Sequence, residues 1–459
     1  MAARVGWAVQ PPCRRTEACV TLLRCTMKLS SVVLFGTVAT VLQAAPPVDL
    51  DGALRQWLGE NPHGVAAAWV DASGVTFAHA GQFAADEARA ITPDTYFEIG
   101  SLTKVFTGAL LADAVQQGKL QLDDTVGEPF APSAITYRQL VTHTSGLPRM
   151  AAKPPGAPRG PVDFDVLQSA YATVAPTAKP SASSYSNLGF AVLGHAVAHT
   201  WGEPYADAMR HRVLLPLGLS GTKLAWTEVD PAQLAPGHNA AGRAANLDFK
   251  AEAPAGSLMS TTRELARFVL ANLGLVETPL NPVLAVTREP LADGDQPTRK
   301  IGHAWVIESR GPDTIVWHNG GTDGYRSFLV LNLTKKTGLV LLANHSARGL
   351  EALGFSVLAG RMPPAAPKLP PEVKLPADLL ADYPGSYALG PVSFIVTLEA
   401  DALFVQLTGQ PKFPVFASAK DELFLRAVPA SISFERDAAG KVVALVLHQN
   451  GRDQRATRQ

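Results

Sequence analysis

The stretch YFEIGSLTKVFTGALLADAVQQGKL, from Tyr96 to Leu120, joins a short strand-like run to the beginning of a helix. Gly100 ends the strand-like run, and apolar residues then recur at the spacing of one helical face. These apolar positions are Leu102, Val105, Phe106, Ala109, Leu110 and Ala112. At this spacing Ser101 and Lys104 lie on one face of the first turn. We therefore predict that a serine hydroxyl and a lysine amine are neighbours at the amino-terminal end of this helix.

This serine–lysine pair has the groups needed for nucleophilic catalysis. A free serine is a weak nucleophile and needs an adjacent base. A lysine can be that base only where burial and positive neighbours depress its pKa, and the positive end of the helix dipole adds to that effect. The free N–H groups of the same helix end can receive an oxyanion. Taken alone, Ser-x-x-Lys also fits a polar helix start with a solvated lysine, so other parts of the chain must decide.

A second candidate element is SSYSNLGFAVLGHAVAHTWG, which begins at Ser183 and places Tyr185 and Asn187 just before a helical pattern. A tyrosine can relay the serine proton when a lysine lowers its pKa, and an asparagine offers a donor and an acceptor to a substrate amide. The alternative is that Tyr185 is a half-buried aromatic residue and Asn187 a helix cap.

The stretch VWHNGGTDGYRSFLVLNLTKKTGLVLLAN, from Val316 to Asn344, contains two short triads that could complete a serine-hydrolase site. They are His318-Asn319-Gly320 and Lys336-Thr337-Gly338. The second triad lies between the apolar runs FLVLNL and LVLLAN, which is the pattern of a polar hairpin turn between two strands.

The phrases FEIGSLTK, ITYRQLVTHTSGLP, YSNLGF, AGSLMSTTRELARF and HNGGTDGYRSF follow one another in an informative order. In that order and approximate spacing the sequence resembles the serine β-lactamases of class C, with the DD-peptidases, D-aminopeptidases and family VIII esterases that share their fold. The resemblance covers nearly all of residues 46–360. It implies an α/β (α+β) fold, with an antiparallel sheet flanked by helices and an all-helical subdomain. It also implies that His318-Asn319-Gly320 is the third motif, on a strand lining the site.

The resemblance implies catalytic roles for Ser101 as nucleophile and for Lys104 and Tyr185 as proton carriers. The N–H groups of Ser101 and Gly321 would form the oxyanion hole, and the small residues Gly320 and Gly321 would let substrate approach the backbone. Neither a metal nor a cofactor is required. The sequence has no His/Cys cluster with zinc spacing and no G-x-S-x-G nucleophile elbow.

Substrate binding is expected at Asn187, His318 and Asn319. His318 stands where class C β-lactamases usually place lysine, and an unperturbed histidine, with a pKa of about 6.5, is mostly neutral at pH 7. Attraction for a substrate carboxylate should therefore weaken as pH rises, although Arg326 could restore positive charge. Because His-x-Gly is seen in some DD-peptidases and D-aminopeptidases, we expect a D-amino-acid peptide substrate with modest β-lactam hydrolysis. Ester hydrolysis is the alternative, and a slow-turnover penicillin-binding sensor is an alternative of another class.

The 459 residues are enough for about three domains, at about 150 residues each. Forty basic and forty acidic residues give a net charge of zero, which is not the electrostatic pattern of a nucleic-acid or anionic-membrane binder. We expect small-molecule or peptide substrates as partners and no nucleic acid, and the composition leaves the formation of oligomers open.

The amino-terminal region has the pattern of a targeting segment. Residues 27–45, MKLSSVVLFGTVATVLQAA, combine a lysine, a short apolar core and small residues, as a secretory signal peptide does. The apolar stretch is shorter than the roughly 20 residues of a membrane anchor, which is the alternative. Cleavage would give a secreted or periplasmic protein without a membrane span and without Cys13, Cys19 and Cys25. Residues 1–26 are then an extended leader or follow a mis-assigned start.

The carboxy-terminal part differs in composition from the rest of the chain. Residues 361–376, RMPPAAPKLPPEVKLP, are too rich in proline for a helix or a central strand and are predicted to form a linker. Residues 377–459 alternate apolar and polar positions between turn signals, which predicts a small antiparallel β-barrel. This module resembles the lipocalin-like domains appended to some of these hydrolases. We expect it to border the active-site mouth or a subunit contact without supplying catalytic groups.

Overall fold

The computed structural model describes residues 45–459 except 85–86, 154–159, 180–182, 240–241, 347–348, 367, 391, 409–411, 427–429 and 450–451. The predicted leader, the three cysteines and all but the last residue of the predicted signal peptide lie outside the described residues. In the described part, no helix combines the length and apolarity needed to cross a membrane.

An eight-stranded antiparallel sheet lies at the centre of the part of the chain that precedes the carboxy-terminal barrel. Its strands are β1 (Val65–Asp71), β2 (Gly74–Ala80), β3 (Ala292–Asp293), β4 (Arg299–Ile301), β5 (Val306–Arg310), β6 (Asp313–Gly321), β7 (Arg326–Asn332) and β8 (Thr337–Ala343). Their order across the sheet is β2-β1-β8-β7-β6-β5-β4-β3. The chain therefore leaves the sheet after β2 and returns about two hundred residues later.

Helices cover both faces of this sheet. The α-helices of the described residues are α1 (Leu50–Leu58), α2 (Thr103–Gln116), α3 (Tyr137–Val141), α4 (Phe164–Val174), α5 (Asn187–His199), α6 (Tyr205–Met209), α7 (Ala253–Gly256), α8 (Thr262–Asn272), α9 (Asn281–Thr287), α10 (Glu351–Leu358) and α11 (Ala377–Leu380), and α11 belongs to the carboxy-terminal part. Along β7, Phe328 and Val330 join the core beneath α1 and α10, whereas Leu329 and Leu331 join the larger core on the other face. This alternation is what a strand covered on both sides requires.

Most of the helices between β2 and β3 form a helical subdomain around α2. Every residue of α2 from Thr103 to Ala114 is buried, as expected of a helix enclosed by other helices. A short strand just before it, Phe97–Glu98, pairs with Met259–Ser260 and ties the two ends of this region together. The predicted sheet, flanking helices and helical subdomain are confirmed.

The carboxy-terminal part is a closed antiparallel barrel with its own apolar core. Its strands are β9 (Gly385–Leu389), β10 (Val392–Glu399), β11 (Ala402–Leu407), β12 (Lys412–Ala419), β13 (Glu422–Phe424), β14 (Ala430–Arg436), β15 (Val442–Gln449) and β16 (Arg452–Arg458). The linker contacts both parts, since Ala366 N–H donates to Gln56 C=O and Val373 N–H to Ala417 C=O. The barrel prediction is confirmed, while its place beside the active-site mouth stays a prediction.

Candidate active site

Ser101 lies in a 3-10 turn, Gly100–Leu102, that leads directly into α2. Gly100 has φ +51°, and a Cβ there would lie 2.8 Å from the Gly321 nitrogen. A Cβ on Gly320 would lie only 2.1 Å from the Ile99 carbonyl oxygen. These glycines therefore allow the backbone of β6 to lie directly against the turn that carries the serine.

Lys104 points from α2 into the space beside Ser101, and its side chain is fully buried. Its Nζ lies 3.3 Å from Ser101 Oγ, 2.8 Å from Asn187 Oδ1 and 2.6 Å from the Ala255 carbonyl oxygen. The two acceptors hold the amine in place beside the hydroxyl. The sequence signals identified Lys104 and Asn187, whereas no motif indicated the carbonyl group of Ala255.

Burial lowers the pKa of Lys104 well below its ordinary value of 10.5. The positive charge of Arg149 lowers this pKa further, and Glu252 opposes the effect. The amine can therefore be neutral and carry a lone pair at a pH where an exposed lysine is a cation. A lysine can act as the base of a serine nucleophile under this condition.

Tyr185 donates a hydrogen bond from its hydroxyl to Ser101 Oγ over 2.6 Å. Burial raises its pKa to about 12, and the hydrogen bond to Ser101 and the charge of Arg149 oppose the rise. The phenol is therefore neutral, in contrast to the lowered pKa that a lysine neighbour was expected to produce. The reason is that burial of the phenol itself outweighs the hydrogen bond to Ser101 and the charge of Arg149.

His143 positions the segment that carries Tyr185. The His143 Nδ1 accepts the Ser186 N–H over 3.1 Å, and its ring packs 4.5 Å from the ring of Tyr185. Its Nε2 is buried and has no hydrogen-bond partner among the described residues. In the sequence His143 belongs to the phrase HTSG, which is typical of a turn, and nothing in its local spacing indicates the long-range contact.

His318 faces the same side of the sheet as the serine and is buried. Its Nδ1 lies 2.6 Å from the Asn319 carbonyl oxygen, so Nδ1 carries the proton and Nε2 keeps its lone pair. Burial and the proximity of Lys104 lower the pKa of His318 to about 3. The expected weakening of carboxylate attraction around neutral pH is therefore wrong, because the imidazole is already neutral there.

Asn319 and Arg326 lie on the opposite face of the sheet. Asn319 is exposed, and its amide donates to Glu351 at the start of α10. Ser327 Oγ donates to the Ile99 carbonyl on the serine side, so its neighbour Arg326 points away from that side. The structure thus brings Ser101, Lys104, Tyr185, Asn187 and His318 together but leaves the side chain of Asn319 outside the cluster.

The Gly321 N–H lies on an open edge of the sheet. Thr322 N–H donates to Tyr325 C=O at the end of the ladder between β6 and β7. Hydrogen-bonded and non-hydrogen-bonded pairs alternate along such a ladder, so the adjacent pair of Gly321 and Arg326 is not hydrogen-bonded, and the Gly321 N–H points away from β7. On that side β5 pairs with β6 only up to Trp317. Gly321 therefore has a free donor beside Gly100, where an oxyanion-hole donor is expected.

The second triad of the sequence, Lys336-Thr337-Gly338, begins in the exposed turn between β7 and β8. Lys336 has φ +52°, which is a typical turn conformation. The predicted hairpin turn is confirmed. Among the described residues, no group of three or more His, Cys, Asp or Glu residues is arranged to hold a metal ion.

A different serine–histidine–aspartate arrangement lies on the outside of the barrel. Ser433 Oγ is 2.8 Å from His448 Nε2, and His448 Nδ1 is 2.8 Å from Asp453 Oδ1. The backbone N–H of Ser433 is not available to an oxyanion. The hydrogen bonds between β13 and β14 involve alternate residues, and this alternation directs the Ser433 N–H toward Val446, its partner on β15. We interpret the arrangement as a surface hydrogen-bond network.

Comparison with known proteins gives two family matches. A model described as beta-lactamase matches residues 54–354, and one described as a domain of unknown function (DUF3471) matches residues 369–458. The chain is 24% identical to Penicillin-binding protein 4* of Bacillus subtilis (strain 168), over 81% of this chain and 89% of that protein. It is 26% identical to a beta-lactamase of Pseudomonas fluorescens, over 58% of this chain and 84% of that protein.

A solved structure with the same fold is that of a class C beta lactamase from Rhodobacter sphaeroides. The TM-score is 0.60, with 21% identity, and the match covers 68% of this chain and 97% of that chain. At this identity the likeness shows the fold alone.

Proposed function

The chain belongs to the beta-lactamase family, and on that premise we propose that it is a serine hydrolase that works through an acyl-enzyme at Ser101. The observation that carries the proposal is the position of Ser101 Oγ, 3.3 Å from the buried amine of Lys104 and 2.6 Å from the hydroxyl of Tyr185. A serine held between a base and a proton carrier is the arrangement that nucleophilic catalysis needs.

In the proposed mechanism, neutral Lys104 accepts the proton of Ser101 as the serine oxygen bonds to the substrate carbonyl carbon. The N–H groups of Ser101 and Gly321 stabilise the resulting oxyanion. The proton then passes from Lys104 through the hydroxyl of Tyr185 to the leaving group, whose bond to the carbonyl carbon breaks. Water attacks the acyl-enzyme in the reverse sequence of proton transfers and releases the acid.

We propose amide substrates of the D-amino-acid peptide or β-lactam type, with Asn187 binding the substrate amide. Support comes from the family and from the two relatives named as a penicillin-binding protein and a beta-lactamase. Ester hydrolysis is the second candidate. The specific observation in its favour is that His318 presents a neutral acceptor where many relatives are expected to present a lysine cation.

The test is turnover of three substrates by the purified protein and two variants. The substrates are nitrocefin, a D-alanyl-D-alanine peptide and a short-chain p-nitrophenyl ester. Ser101→Ala should abolish turnover of whichever substrates the protein accepts, while Ser433→Ala, the matched control on the barrel, should keep it. Turnover that survives Ser101→Ala at the parental rate would place the nucleophile elsewhere.

The same panel separates the remaining alternatives. Turnover of the ester alone would show that the protein is an esterase and does not hydrolyse D-amino-acid peptides. A burst equal to the enzyme concentration, followed by no turnover, would identify a penicillin-binding sensor.

We also propose that residues 27–45 are a cleaved signal peptide, that the protein is secreted or periplasmic, and that residues 46–360, 361–376 and 377–459 are a hydrolase domain, a linker and a barrel domain. The two separate family matches support this division of the chain. Mass spectrometry of the exported protein should find an amino terminus near residue 46; an exported protein that keeps residues 27–45 would contradict cleavage.

A further inference from the structure

The candidate site contains basic side chains that carry little charge. Burial lowers the pKa of Lys104, of His143 and of His318, which disfavours the charged form of each. His318 on β6 is neutral, and the buried amine of Lys104 is engaged by Asn187 and Ala255, so neither is placed to bind a substrate anion.

Arg149 is an exposed residue at the edge of the cluster. Its carbonyl oxygen accepts the Asn187 N–H over 2.8 Å, which fixes its backbone beside the site. Its guanidinium carbon lies 5.0 Å from the centre of the Tyr185 ring. The guanidinium is therefore held near the phenol whose hydroxyl contacts Ser101, on the wall formed by Tyr185 and Asn187.

The electrostatic effects agree with this position. The charge of Arg149 lowers the pKa of Lys104, of His143 and of Tyr185, which are the groups around the serine. A single exposed guanidinium that acts on three groups of the cluster must be close to all of them.

Arg149 has no acidic partner within the described part of the chain: it forms none of the ion pairs found there. A guanidinium is a permanent cation whose planar fork matches a carboxylate. The contrast is with Arg138 and Arg263, each of which is engaged by the two oxygens of one aspartate. The donors of Arg149 are therefore available to a ligand.

Arg326 is a second arginine near the site, but its donors are not available to a ligand in the same way. Arg326 donates twice through Nη1, to the carbonyl oxygens of Thr322 and Tyr325. It lies on the face of the sheet opposite Ser101, with Asp323 and Glu351 as its charged neighbours. It therefore cannot replace the cation that His318 fails to supply.

We propose that Arg149 is the specificity-determining residue of this site and that it binds a carboxylate of the acyl donor on the wall formed by Tyr185 and Asn187. The inference rests on the proposed acyl-enzyme at Ser101. In this binding mode the anionic group of the substrate lies across the site from β6, the strand that carries His318-Asn319-Gly320. The substrate class is an amide or ester that carries a carboxylate within reach of Arg149.

The experiment compares three aryl esters with the full-length protein and with Arg149→Gln. One ester is neutral, p-nitrophenyl acetate; one carries a carboxylate on the acyl part, mono-p-nitrophenyl glutarate; one carries it on the leaving group, 3-acetoxybenzoate. The measured quantity is the ratio of kcat/KM for each anionic ester to that for the neutral ester. We expect Arg149→Gln to lower this ratio by about 10-fold for at least one anionic ester. The affected ester identifies which part of the substrate faces Arg149.

Arg326→Gln is the matched control, because it removes an arginine near the site that lies on the face of the sheet opposite Ser101. Its ratio should equal that of the parental protein. Raising the salt concentration should reduce the preference for the anionic ester in the parental protein but not in Arg149→Gln.

An unchanged ratio in Arg149→Gln, including an equal loss for neutral and anionic esters, would overturn the proposal and leave Arg149 as a support for the Tyr185 ring. The same holds if Arg326→Gln produces the drop. Failure of the proposed function looks different, since hydrolysis of the neutral ester would then survive Ser101→Ala.

Discussion

Lys104 combines a chemical role with a cost in stability. In the unfolded chain its amine is protonated below about pH 10.5, whereas burial lowers its pKa in the folded protein. Folding therefore releases a proton, and stability rises with pH between the lowered folded value and the ordinary value. Asn187 and Ala255 offset part of this cost through their hydrogen bonds to the amine.

Lys104→Met should abolish acylation of Ser101 and flatten the dependence of stability on pH. Between the lowered pKa of Lys104 in the folded protein and its ordinary pKa, each pH unit should raise the free energy of unfolding of the parental protein by about 1.4 kcal/mol relative to that of the variant. Denaturant unfolding at several alkaline pH values measures this difference. The matched control is Lys119→Met, which replaces an exposed lysine just after α2.

Parallel pH curves for the parental protein and Lys104→Met would mean that the folded protein keeps Lys104 charged. That result would remove the base from the proposed mechanism. For Lys119→Met, parallel curves are the expected outcome, because its amine is in solvent both before and after unfolding.

Among the elements of the fold, β6 meets the serine turn through two adjacent glycines in unlike surroundings. A Cβ on Gly320 would lie 2.1 Å from the backbone oxygen of Ile99 and 2.3 Å from Ser327 Oγ. The three atoms nearest to a Cβ on Gly321 all belong to the Arg326 side chain, the closest at 2.8 Å. Backbone cannot yield as a flexible side chain can, so the two positions should tolerate a methyl group differently.

Gly320→Ala should push β6 away from the turn and lower both stability and the rate of Ser101 acylation. The expected loss of stability is about 1–3 kcal/mol, the usual cost of overpacking. The matched variant Gly321→Ala should retain more of both quantities, because Arg326 can move. Thermal unfolding and the rate of labelling by a serine-reactive probe measure the two effects. An equal response of the two variants would contradict the proposed contact.

The whole molecule contains separate apolar cores for the sheet and for the barrel. The barrel core includes Leu445, which is fully buried, and it shares no member with the cores on the two faces of the sheet. Residues 377–459 contain no tryptophan, so tryptophan fluorescence does not report on the barrel. The two parts can thus be followed independently during unfolding.

Leu445→Ala should destabilise the barrel by about 2–5 kcal/mol through the cavity that it leaves. We expect the far-UV circular dichroism of the variant to change at a lower denaturant concentration than the tryptophan fluorescence, with Ser101 labelling retained. The control is Leu110→Ala in α2, which should lower the fluorescence transition and the labelling together. A single transition with loss of labelling in Leu445→Ala would show that the barrel supports the site directly.

Local periodicity was sufficient to predict several features of the fold and the site. Ser101 and Lys104 lie three residues apart, and helix geometry places such residues on one face whatever surrounds them. The alternation of residues 377–459 predicted strands, and the apolar runs beside Lys336 predicted a hairpin turn. These features follow from the covalent geometry of short segments, so the printed order of residues was sufficient to predict them.

The electrostatics and the orientation of the site depend on packing between elements that are distant in the chain. The low pKa of His318 and the high pKa of Tyr185 come from burial, which depends on elements distant in the chain. Asn319 adjoins His318 in sequence but faces Glu351, because successive residues of a strand point to opposite faces and the packing selects which face meets the serine. The position of Arg149 over Tyr185 arises in the same way. Desolvation and long-range contacts are properties of the packed molecule, and no short stretch of sequence contains them.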